Sequence, residues 1–143
     1  MTPQKTITIT VLRDGQPVEV EVLMRYCSAA ECHFEELAER EIGIFIPTFV
    51  KDDEGNDIVN SPARAKTKDY LVLAYCAILA AYSRAEKEPP ITLADILYDI
   101  SPKDELALIT SVSKLRMEWY SVPGMVGNDE PQNDEGEGGE KND

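Results

Sequence analysis

Several kinds of chemistry are scarce or missing in this sequence. Among 143 residues there is a single histidine, a single tryptophan and three cysteines. Basic residues are outnumbered, fourteen Lys and Arg against twenty-seven Asp and Glu, for a net charge of −13. That deficit argues against nucleic-acid binding, because phosphate contacts need a surplus of cations. It argues equally against adhesion to an anionic membrane surface. The start, Met1 to Thr10, lacks the long apolar core of a signal peptide. The longest uncharged run is the fourteen residues Tyr70 to Ser83, short of the roughly 20 that a transmembrane helix needs. No phosphate loop, Gly-rich dinucleotide fingerprint or nucleophile elbow occurs. The expectation is a soluble, cytoplasmic, non-enzymatic domain with no cofactor.

The scarce residues read as structural. Three cysteines cannot all pair, so Cys27, Cys32 and Cys76 are expected to be buried or half-buried thiols. A zinc site from Cys27, Cys32, His33 and Cys76 is the weaker alternative. Cys32 and His33 are adjacent on a helical segment and diverge by about 100°. His33 has no signalled partner, and a general base needs one. Glu35, Glu36 and Glu39 form a solvated helix face rather than a catalytic pair. The acidic stretch Asp52 to Asp57 fails the calcium-loop pattern, because Ser61 stands where a Glu is required.

What is present predicts a fold. Thr6 to Val11 and Val18 to Val22 alternate polar and apolar with period two. Asp14-Gly15 between them is a type I′ hairpin signal. This register sets Val11 opposite Val18, Ile9 opposite Val20 and Ile7 opposite Val22, with all six on one face. Ser28-Ala29-Ala30-Glu31 reads as a capping box opening a first helix, with Ala30, Phe34, Leu37 and Ala38 inward and Gly43 after its last turn. Ile44 to Asn60 admits either a second hairpin or an exposed loop. Thr67 caps a helix from Lys68 to about Arg84 whose middle is apolar all round, so it must be the hub of the domain. Thr92 to Asp95 opens a short helix carrying Ile96, Leu97 and Ile100. Ser101-Pro102 opens the last, striped by Leu108, Val112, Leu115 and Trp119 and stopped by Pro123-Gly124.

The reading is α+β, predominantly α-helical: an N-terminal β-hairpin packed on a small bundle of about four helices. Residues 1–127 form one folded domain, with the hairpin over 6–23 and the helical core over 24–123. Residues 128–143 hold seven acidic residues and one Lys, hence −6 of the total charge, with no aliphatic or aromatic side chain. They are expected to be a disordered acidic tail.

The layout resembles the tail assembly chaperones of long-tailed bacteriophages and prophages. The stretches that carry it are Met24 to Glu35, Asp69 to Ala77, Pro90 to Leu97 and Trp119 to Pro123. The resemblance covers residues 6–123, excluding from the family core the hairpin and the 52–60 segment. It implies a protein that binds the tape measure protein, keeps that long helical chain soluble and assists tail tube subunits to polymerise around it. It also implies absence from the finished virion, and in many members a longer frameshifted form whose junction would fall near the acidic tail. A helix-in-groove mode is the expected chemistry. Candidate contact residues are apolar positions that a small bundle leaves uncovered: Phe45, Phe49, Met117, Trp119 and Tyr120. Partners are then the tape measure protein and tail tube subunits, with weak self-association and no nucleic acid or membrane. The rival readings are an acidic adaptor or inhibitor of a folded partner, and a small head–tail connector component.

Overall fold

The computed structural model describes residues 2–121. The predicted tail over 128–143 and the Pro123-Gly124 stop lie outside the described residues. The chain runs as β1 (Gln4–Arg13), β2 (Gln16–Arg25), α1 (Ser28–Ala38), a 3-10 turn (Ile42–Phe45), β3 (Thr48–Lys51), β4 (Asp57–Ser61), α2 (Thr67–Arg84), α3 (Leu93–Tyr98) and α4 (Pro102–Ser121). The class is α+β, a hairpin followed by helices.

The first hairpin has the register its alternation predicts, with Val11 opposite Val18, Ile9 opposite Val20 and Ile7 opposite Val22. Its turn residues Asp14 and Gly15 both have positive φ, 53° and 76°, the twist a type I′ turn supplies. The strands extend beyond the predicted limits, to Gln4 and Arg25. Ile9, Val11, Val22 and Met24 are buried, whereas Val18 near the turn is 40% exposed.

Helix α2 is the hub. Leu71 to Ala74, Cys76 to Ile78, Ala80 and Ala81 are all buried, and the helix packs on α1, α3, α4 and β2. It starts one residue earlier than predicted. Thr67 is helical, and the first turn is held by Asp69, whose carboxylate accepts from the Lys66 backbone N–H at 2.8 Å and pairs with Arg40. Burial of Asp69 is tolerable because both a backbone donor and a guanidinium meet it.

The hairpin docks through β2 on α2 and through β1 on α3, on the Asp99-Ile100 link that follows it and on the first turn of α4. Leu12 N–H donates to the Asp99 carbonyl at 3.0 Å, and Thr10 N–H donates to Asp104 Oδ2 at 3.0 Å. Arg13 donates to the Pro90 carbonyl at 2.9 Å and pairs with Asp95. These bonds occupy the outer edge of β1, which would otherwise be an open template for pairing. The caps of α3 and α4 form as predicted. Thr92 and Asp95 bond reciprocally, and Ser101 Oγ accepts from Asp104 N–H at 3.2 Å.

Three expectations are corrected, the first being an inward Leu37, which is 49% exposed. Ser28 is not the cap of α1; Cys27 holds that position, with no side-chain bond. Gly43 does not end α1 either. The helix stops at Ala38, Glu39 takes the left-handed conformation at φ 56°, and Gly43 belongs to the 3-10 turn. Between Ile44 and Asn60, where the sequence admitted two outcomes, the chain forms the β3–β4 hairpin.

Candidate functional site

The C-terminal two turns of α4 meet the 3-10 turn and the start of α1. A buried tyrosine organises this junction. Tyr26 follows β2 and is fully buried, so its hydroxyl must find an acceptor. It donates to Glu31 Oε2 at 2.7 Å. Tyr120 of α4 donates to the same oxygen at 2.7 Å. The Arg116 guanidinium lies 3.7 Å from Glu31 and stacks 4.9 Å from the Tyr120 ring centroid. With Cys27 at the cap, the third helical position is Ala30 and not Glu31, so the predicted capping box does not form.

The local charge pattern shifts both phenols. Burial first, then the bond to Glu31 and its charge, push Tyr120 up to about 12. The same causes, burial again leading, raise Tyr26. Both hydroxyls stay protonated and donating across the ordinary pH range. Arg116 Nε is buried and has no hydrogen-bond partner among the described residues. The arginine is held by stacking and by its ion pair instead.

On the solvent side of this junction lies a groove of about 310 Å³, lined by Ile46, Arg116, Met117, Tyr120 and Ser121. Ile46 is 49% exposed, Met117 70% and Tyr120 40%. An apolar cleft with a cation at its base can take an apolar side chain and an acceptor beside it. A wider cavity of about 500 Å³ sits between β2, α1 and the end of α2, lined by Thr2, Arg25, Cys27, Ala29, Ala80, Ser83 and Arg84. It lacks large apolar side chains.

The sequence-predicted contact residues divide. Met117 and Tyr120 line the groove. Phe49 is exposed on β3, away from it. Trp119 is half-buried, packed against the core that Leu108, Val112 and Leu115 of the same helix enter, and does not line the groove. Phe45 is a correction. It is buried at 6% exposure, edge-on to Phe34 and Tyr70 with ring centroids 5.0 Å apart in each pair. The turn of 3-10 helix points its ring inward as a wedge between α1 and α2. Cys32 is also corrected, being exposed where a buried or half-buried thiol was expected. Cys76 is buried, and burial pushes its thiol up to about 12. Among the described residues, no three His, Cys, Asp or Glu side chains gather around a point that a metal could occupy. No helix among them is long and apolar enough to cross a membrane.

Ile46 and Arg116 were not singled out from the sequence, and Glu31 was read only as a helix cap. Ile46 sits in an apolar run that gives no hint of which member faces water. Arg116 and Tyr120, four apart on a helix, were a visible pair. Their partner Glu31 is 85 positions before Arg116 and 89 before Tyr120, and only the fold joins them. Compared with known proteins, the chain matches no family model, no curated protein and no solved structure.

Proposed function

We propose that this chain is a tail assembly chaperone of a long-tailed phage or prophage. In this reading it acts in the host cytoplasm, binds the tape measure protein and keeps it soluble while tail tube subunits assemble. It performs no chemistry. The observation that supports the reading is the groove beside Ile46, Met117 and Tyr120. Three large side chains stand partly exposed around a cleft on a molecule of net charge −13. Such a cleft suits an apolar stripe of an amphipathic helix. The acidic surface attracts basic stretches of the client and keeps the complex dispersed.

The test is co-expression with the tape measure protein encoded nearby, read by solubility and pull-down. The client is expected to be soluble only with this chain and to co-purify with it. Met117→Asp, which puts a charge in the cleft without touching the core, is expected to return most of the client to the pellet. A client that stays insoluble with the wild-type chain, with nothing co-purifying, overturns the reading.

A further inference from the structure

The β3–β4 hairpin stands away from the body as an arm. Every residue of both strands is exposed except at the turn, where Asp52 is half-buried. Its roots are fixed: the Ile44 carbonyl accepts from both Arg64 and Ala65 N–H, at 2.8 and 3.0 Å. Thr48 and Ser61 hydroxyls bond across its base at 2.6 Å, and Lys51 pairs with Asp57 near its tip at 2.8 Å. The Asp52 carboxylate closes the turn, accepting from Glu54 and Asn56 N–H. The arm is thus preformed.

Its apolar residues are arranged unusually. Phe49 is paired with Val59, and Val50 with Ile58. Successive strand residues point to opposite faces, so one face carries Phe49 and Val59 and the other Val50 and Ile58. All four are between 43% and 58% exposed. A two-stranded hairpin alone is marginal in water, and among the described residues no other element packs over either face. Added strands at the edges would leave both faces bare, so the cover must be face-on. Two strands set about 5 Å apart present a surface as wide as one helix. The tip adds direction: Asp52, Asp53, Glu54 and Asp57 stand against the single cation Lys51. A second copy of this chain would bring more acid to an acidic tip and is disfavoured. A partner with basic residues flanking its apolar stripe is complementary.

We infer that the arm is a two-sided docking blade that is sandwiched between two amphipathic helices carrying basic flanks, one on each face. The inference deepens the client-binding reading and rests on it for the partner's class, but it concerns a surface separate from the α4 groove.

The test uses the full chain and a synthetic Leu/Lys amphipathic helix of about five turns, titrated by calorimetry at low salt. The chain with its α4 groove blocked by Met117→Asp, the background of every variant here, is expected to take up two equivalents, one on each face of the arm. Phe49→Thr with Val59→Thr, and separately Val50→Thr with Ile58→Thr, keep strand propensity and fold. Each pair is expected to remove one equivalent by weakening its face about tenfold or more. Asp53→Asn with Glu54→Gln is expected to weaken both several-fold and flatten the salt dependence. Tyr98→Ser, at a site 82% exposed and remote from the arm, is expected to leave two equivalents. Binding that is absent, or unchanged by either face pair, overturns the inference. So does sedimentation showing a dimer that the face pairs dissolve, since a second copy would then be the cover. Because the probe is synthetic, failure here leaves the tape measure test undecided and separate.

Discussion

Glu31 is the residue on which the α4 junction turns. Its carboxylate accepts from Tyr26 and Tyr120 and neighbours Arg116. Removing it leaves the Tyr26 hydroxyl buried without an acceptor, which costs about 1–3 kcal/mol. Glu31→Ala is therefore expected to lower the denaturant midpoint, with a loss of unfolding free energy in that range. A midpoint unchanged within error would mean that the cluster is incidental. The same phenols set a pH dependence. Both are raised above their ordinary value of 10.0, so the unfolded chain releases these protons before the folded one does. The stability they carry is full below pH 10 and is lost as pH rises toward about 12 for Tyr120. Unfolding followed at pH 9, 10 and 11 should show a declining midpoint, and Tyr120→Phe should make the decline shallower. A midpoint that rises over this range would contradict the assignment.

At the scale of elements, α2 carries the core. Ile78 is fully buried at its centre. Ile78→Ala should destabilise the chain by about 2–5 kcal/mol, read by thermal or denaturant unfolding, and a loss under 1 kcal/mol would argue against α2 as the hub. The elements also show where sequence reading succeeds. The first hairpin was legible because strict alternation and Asp14-Gly15 point to the same register. The caps of α3 and α4 were legible because Thr92 with Asp95, and Ser101 with Asp104, are local pairs at cap spacing that the fold leaves intact, even where Arg13 also reaches Asp95. The cap of α1 was not, because the helix opens one residue early at Cys27, which leaves Glu31 outside the box position and paired with Tyr26. The second hairpin was ambiguous for a physical reason. Phe49-Val50 and Ile58-Val59 are adjacent apolar pairs, which a blade bare on both faces requires and which erase the period-two signal. Phe45 was misread because an apolar run does not say which of its members turns inward.

For the whole molecule, the distribution of exposed apolar surface matters more than its amount. Scattered exposed hydrophobics are ordinary. Here Ile46, Met117 and Tyr120 converge on one groove, while Phe49, Val50, Ile58 and Val59 crowd one arm. Net negative charge sets the sign of what these surfaces attract. Met117 and Tyr120 were legible as candidates, but Ile46 joins them only through the docking of α4 on the 3-10 turn. The central claim is that the α4 groove holds an apolar segment of the client. It is tested most directly by placing a photo-reactive phenylalanine analogue at Met117 and, as a control, at Tyr98, each in a chain co-expressed with the tape measure protein. The account predicts a covalent adduct with the client from position 117 and none from position 98. Adducts of equal yield from both positions, or none from 117 while the client remains soluble and bound, would contradict it.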